Sequence, residues 1–258
     1  MKSILNDAAK KAGYNIGPLL HGTPSEFNAF SYNKIGFGTG FQYGTGFYFT
    51  TSPTQARAYA RDNGKVLSAY LKVDNPRAFN SAPLSSEELI PVIERAAELE
   101  LQDNLREDSQ AVIDDTFISN FGGIEAAAEM LANEDTIAEQ LGAMKGSGVA
   151  PEYYHKALKQ ITGIDALTGV DKEPSSVEFT IKEGKSGRKS VKNVEVEGTN
   201  VTVVLTPEQI KLSDPVTKDD RGNIIPISER FYRTSQDIRY TQAGSLEGFY
   251  ENIEEVPP

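Results

Sequence analysis

The chain has no cysteine, and His21 and His155 are its only histidines. Without thiols there are no disulfides, thiolate metal sites or cysteine nucleophiles. Two histidines are too few for a His-rich centre, so no metal is expected. No apolar run approaches the roughly 18 to 20 residues that a membrane span needs, so no membrane partner is expected. The opening stretch, MKSILNDAAKKAGYN, lacks the apolar core of a secretory signal, and a cytoplasmic protein is the expectation. Basic residues are outnumbered, 26 against 37 acidic, for a net charge of −11. A field of that sign opposes non-specific binding to a phosphate backbone. The local exception is a basic stretch carrying Lys182, Lys185, Arg188, Lys189 and Lys192.

What is present reads as an α+β chain. Residues 3–12 form a short helix stopped at Gly13, where a helix-terminating glycine belongs. A strand over 18–21 leads into the glycine- and aromatic-rich SYNKIGFGTGFQYGTG, and FYFTT is a compact β-prone run. Ser52, Pro53 and Gln55 are an N-cap, a first-turn proline and the third member of an S-x-x-Q capping box, opening a helix over 53–62. VLSAYLKV, residues 66–73, reads as a buried strand. Residues 84–161 change character to Ala, Glu and Leu. Periodic apolar positions such as Ile90, Ile93, Ala97, Leu101, Ile124, Met130 and Leu131 predict two to four helices. SSVEFTIKEG and RKSVKNVEVEG read as a hairpin, and TNVTVVLT as another strand. PEQIKLSDP closes the folded part. The tail from Ile227, ISERFYRTSQDIRYTQAGSLEGFYENIEEVPP, has no sustained period and is expected to lie over the surface or fray.

Several features have plain structural readings. A histidine at a strand end is more often structural than functional. His155, in PEYYHKALKQ, reads as a polar helix position, with Tyr153 and Tyr154 as packing residues. Phe37, Phe41, Tyr43 and Phe47 either form a core cluster under the glycine loop or line a cleft. The loop itself is no Walker sequence, because it lacks a Gly-Lys-Ser/Thr ending. It precedes a strand rather than a helix, so it is a poor dinucleotide fingerprint. The basic hairpin is either a solvated turn or a contact to an acidic or nucleic-acid target.

Taken together, LLHGT and GTGFYFTTSPTQARAYA resemble the donor site of the ADP-ribosyltransferases. The branch is the His-Tyr-Glu one that includes diphtheria toxin and the poly(ADP-ribose) polymerases. The chain is most similar to the ADP-ribosyltransferase domain of phage and prophage polyvalent proteins, through DAAKKAGYN, TPEQIKLSDPVTKDDRGNIIPISERF and DIRY. The likeness covers roughly residues 5–80 and 195–241; no motif covers the helical middle or the basic hairpin. It implies a split, antiparallel-rich sheet in a single domain over residues 1–241. The helical insertion would span 84–161, the basic hairpin insertion 176–199 and a C-terminal tail 242–258. It also implies NAD as co-substrate.

Carried over residue by residue, the resemblance makes His21 the ribose-binding histidine and Gly22 the backbone contact to the nicotinamide amide. Tyr48 packs on the nicotinamide, and Tyr59 is its second stacking partner. Thr23 and Gly46 flank these motifs and join the expected NAD site. Ala56 stands where polymerases often have a serine bonding the carboxamide. Cleavage of the nicotinamide–ribose bond has an oxocarbenium-like transition state, which calls for an aromatic clamp, fixed hydroxyls and a negative charge.

The usual third residue, a glutamate, is missing: counting back from Gln209 lands on Val201, with Asn200 beside it. Three readings follow. The chain uses a His-Tyr-hydrophobic triad; or Glu197, Glu195 or Glu208 substitutes, Glu197 foremost; or the acceptor supplies the assistance. The expected activity is mono-ADP-ribosylation of a macromolecule, protein or nucleic acid, by a toxin-type or phage-related effector in the bacterial cytoplasm. An antitoxin or inhibitor is a candidate second partner. The alternatives are a catalytically inactive binding module of the same fold and, behind it, an RNA 2′-phosphotransferase.

Overall fold

The computed structural model describes residues 2–35, 43–61, 64–103, 121–144, 149–171, 175–183, 188–196, 198–231 and 236–239. Helix α1 (Lys2–Lys11) buries Leu5 and Ala9, four apart on one face. It ends at Gly13 with the paired bonds of a Schellman turn, Gly13 N to Lys10 O and Tyr14 N to Ala9 O, both 2.9 Å. Strand β1 (Ile16–Thr23) is longer than predicted, because it pairs with β3 at Ile16 and, past an irregularity at Gly17 and Pro18, from Leu19 to Thr23. β2 (Phe47–Thr50), α2 (Pro53–Ala60), β3 (Lys65–Leu71) and β4 (Pro76–Ala78) follow.

The middle of the chain supplies α3 (Ser86–Asp103), α4 (Ile124–Ala132), α5 (Ile137–Ala143) and α6 (Pro151–Thr162). Leu89, Val92, Ile93, Ala96 and Ala97 of α3 pack with Leu131, Leu141 and Leu158 against one face of the sheet. Met130 departs from the predicted apolar face and is 44% exposed. β5 (Ala166–Asp171), β8 (Thr199–Val204) and β9 (Ile210–Leu212) complete a seven-stranded sheet in the order β4-β5-β8-β2-β1-β3-β9. All its pairs are antiparallel except β4–β5. β6 (Ser175–Glu183) and β7 (Arg188–Val196) form a separate hairpin. Helices beside a mostly antiparallel sheet make this the α+β class.

The sheet has an apolar core on each face. Phe47 and Phe49 of β2 face Phe30, Leu71, Val204 and Ile238, whereas Tyr48 between them packs on the helical side. That alternation is the period of a strand.

The stretch from Ile227 departs from the surface tail expected. Phe231 and Ile238 are both buried. Ile238 N donates to Asn28 O, and its carbonyl accepts from Leu212 N, both at 2.8 Å. Two separated apolar residues and a pair of backbone bonds anchor it, so no periodic pattern announces it.

Candidate functional site

β1 and β2 share a single register pair, Leu20↔Thr50, and then diverge. At the point of divergence the His21 imidazole replaces a ladder bond: Nδ1 donates to the Tyr48 carbonyl at 2.8 Å. A carbonyl only accepts, so Nδ1 carries the proton, and in the neutral ring Nε2 is an acceptor. The ring sits among Phe30 (4.9 Å between centroids), Phe49 (5.4 Å) and Phe27 (6.3 Å). Burial in this apolar cluster lowers the imidazole pKa, against a smaller opposing effect of the Tyr48 carbonyl. At neutral pH His21 is therefore uncharged.

Gly22 lies under helix α2. A Cβ there would overlap the carbonyl of Ala56, so only glycine lets the helix settle on β1. Ala56 is itself fully buried at that contact, which leaves no room for a larger residue. The Thr23 hydroxyl accepts from Ser25 N at 3.1 Å, in a local turn. Gly46, at φ +153°, packs against Val203, where a Cβ would lie 2.5 Å from Cγ1. The two glycines thus set the packing of the strands and helix that carry the tyrosines.

Tyr48 points to the helical face, and its hydroxyl donates to the Gly44 carbonyl. Burial raises its pKa, so the phenol stays protonated. Ser52 caps α2, accepting from Gln55 N at 3.2 Å. The reciprocal half of the expected capping box is absent. The Gln55 side chain instead donates from Nε2 to Asp171 Oδ2 (2.8 Å) and accepts at Oε1 from the Thr199 hydroxyl (2.9 Å). One turn further along the same helix face stands Tyr59, 47% exposed. Its pKa is raised by partial burial and then by the Asp171 charge.

Asp171 itself is the residue that sequence reasoning missed. It ends β5 opposite Thr199, is 6% exposed, and its Oδ1 accepts from the Tyr43 hydroxyl at 2.7 Å. Tyr43 in turn stacks on Phe79, with centroids 4.4 Å apart. The signal was weak: an Asp after LTGV, more than a hundred residues from its partners.

The candidate acids fare differently. Val201 is a buried core residue, and Asn200 is exposed, its carbonyl accepting from Thr51 N. Neither brings a carboxylate. Glu197 lies outside the described residues, as do the side chains of Glu195 and of the basic hairpin. Glu208 contacts the other end of the fold, where its carbonyl accepts from the Tyr14 hydroxyl and its carboxylate from Gln236.

Phe37 and Phe41 also lie outside the described residues, whereas Phe47 is core and Tyr43 borders Asp171. His155 is not a surface position. It is 1% exposed, shares a 2.8 Å hydrogen bond with Thr45 Oγ1, and burial pushes its pKa down to about 4.

A cavity of about 500 Å³ lined by Phe30, Tyr32, Glu152 and Lys156 shares Phe30 with the His21 cluster. It includes neither Tyr48 nor Tyr59. Among the described residues there is no cluster of three or more potential metal ligands, and no helix is long and apolar enough to cross a membrane.

No curated protein and no solved structure matches the chain. A family model does. Described as "ADP-Ribosyltransferase in polyvalent proteins", it matches residues 17–215. That span takes in His21, Tyr48, Tyr59 and Asp171 together with all seven strands of the sheet that holds them, and the chain belongs to this ADP-ribosyltransferase family.

Proposed function

We propose that the protein is an NAD-dependent mono-ADP-ribosyltransferase acting on a macromolecule. ADP-ribosyltransferases take NAD as substrate, and the observation that carries the reading is the His21–Tyr48 link. It leaves a neutral histidine with Nε2 as an acceptor, suited to a ribose hydroxyl. The same residue pair puts the Tyr48 ring on the other side of the strand, towards Tyr59, as a clamp for the nicotinamide. In the transfer, the bond between C1′ and the nicotinamide nitrogen breaks and its electron pair leaves with nicotinamide. The acceptor's nucleophile bonds to C1′ and loses its proton to solvent or a nearby base.

Single transfer, rather than chain building, follows from Val201 and Asn200 standing where the family's glutamate falls. A toxin-type or phage-related effector, with an antitoxin or inhibitor as a second partner, is the role that accords with this family. The test is labelled NAD in a whole-cell lysate, with protein and nucleic acid fractions read separately by mass spectrometry. Label on either fraction, and none with a His21→Ala variant, is the expected result. No transfer and no nicotinamide release from the wild-type protein would overturn it.

The buried Val201 favours one second reading, a binding module of the same fold. Calorimetry separates the two: NAD binding without nicotinamide release points to the module.

A further inference from the structure

One buried carboxylate has no part in the clamp just described. Asp171 is held at both oxygens, by the Tyr43 hydroxyl at Oδ1 and by Gln55 at Oδ2. Those donors come from separate parts of the chain, the end of the glycine loop and the buried side of α2. Gln55 is one helical turn before Tyr59, so Asp171 lies against the helix face that presents Tyr59. Its register partner on β8 is Thr199, with Gly169↔Val201 two residues back. Directly opposed residues share a face, so Asp171 and Val201 project to the same side of the sheet as diagonal neighbours on adjacent strands. Tyr48 projects to that side as well, since it packs in the core that holds Val201 and Val203. Asp171, Tyr43, Tyr48 and Tyr59 therefore gather on one face, and electrostatic coupling links Tyr59 to Asp171 and Tyr48 to both other tyrosines.

Burying a carboxylate is costly unless something compensates it. The Tyr43 hydroxyl and the Gln55 amide are both neutral donors, so a cationic ligand on the same face meets the carboxylate's charge favourably. The nicotinamide ring of NAD carries a formal positive charge, which passes to the ribose carbon as the glycosidic bond breaks. We propose that Asp171 supplies the negative charge of the donor cleft, favouring the cationic nicotinamide over its neutral reduced form and stabilising the positive charge of bond breaking. In the same place it is a positioning residue, fixing α2 and hence Tyr59 through Gln55. This rests on the NAD-dependent reading above.

The test compares NAD and NADH, which differ at the nicotinamide by one positive charge. Calorimetry on the full-length protein measures both affinities, nicotinamide release gives the rate, and thermal melting reports folding. Wild type binds NAD more than about tenfold tighter than NADH. In Asp171→Asn, which keeps the size and one acceptor, that ratio falls towards one, and release slows by a factor of about 10 to 100. A purely structural role would weaken both ligands alike and leave the ratio unchanged, which overturns the proposal.

Should Asp171→Asn fail to fold, Asp171→Glu carries the test. It keeps the charge and is expected to keep the preference for NAD, and losing the preference in a folded protein overturns the assignment. Wild type that binds and cleaves NAD, with Asp171→Asn indistinguishable from it, overturns this inference alone. Wild type that binds neither nucleotide overturns the NAD reading as well.

Discussion

His21 Nδ1 donates to the Tyr48 carbonyl at 2.8 Å, tying the two residues together where their strands part. One side of the imidazole is thus structural and the other chemical, and two substitutions separate them. Asparagine can place an amide N–H near Nδ1, while glutamine reaches towards Nε2. His21→Asn should keep most of the stability, losing about 1 kcal/mol with the ring, yet release nicotinamide about 100-fold more slowly. His21→Gln should lose the Tyr48 bond but retain more activity than His21→Asn. The paired urea melts and release rates check this, and equal activity in both variants would remove Nε2 from the reaction.

Tyr59 offers the converse case. At 47% exposure it contributes little to the core. Tyr59→Ala should therefore shift unfolding by no more than about 0.5 kcal/mol. Losing one aromatic face from the nicotinamide should raise the KM for NAD about fivefold, in line with the roughly 1 kcal/mol of a stacked pair. Steady-state nicotinamide release against NAD concentration checks it, and an unchanged KM would take Tyr59 out of the clamp.

These two residues show which parts of the site were legible in the sequence. His21, Tyr48, the Ser52 cap and Tyr59 all fall within forty residues; the family resemblance singles out the histidine and the two tyrosines, and local rules of strand alternation and helix capping assign them to their elements. Asp171 is held by Tyr43 and Gln55, at separations of 128 and 116 residues. Only the strand order that seats β8 between β5 and β2 brings them together, and no local pattern encodes that order. Gln55 misled for the same reason. Its spacing from Ser52 fits a capping box, but tertiary contacts with Asp171 and Thr199 claim the side chain. The burial of Phe231 and Ile238 was hidden likewise, each being a single apolar residue in a polar stretch.

Gly22 links the site to the stability of the fold. A Cβ at this position would overlap the Ala56 carbonyl, which belongs to a helix backbone and cannot rotate away. Gly22→Ala should cost about 1 to 3 kcal/mol, the range for overpacking. Because α2 must move to make room, Tyr59 moves with it, and NAD affinity should fall together with stability. Denaturant melts and NAD titration of the variant check both. Wild-type stability would mean that α2 does not press on β1 in solution.

Acid should weaken the fold through His155. The ring is fully buried beside Thr45, and burial lowers its pKa to about 4 from an ordinary 6.5. A group with a depressed pKa resists protonation in the folded state while the unfolded chain takes up the proton freely. Its contribution is thus fully present above pH 6.5 and is lost as the pH falls towards 4, where the folded ring protonates too. The 2.5-unit gap between those two values corresponds to about 3 kcal/mol over that window. His21, also lowered by burial, adds in the same direction. His155→Leu removes the titration while leaving the Thr45 hydroxyl its bond to the Leu141 carbonyl at 3.1 Å. Urea midpoints measured at pH 7.5, 5.5 and 4 should fall steeply for wild type and less for the variant. Parallel falls in the two proteins would show that His155 is not what acid attacks.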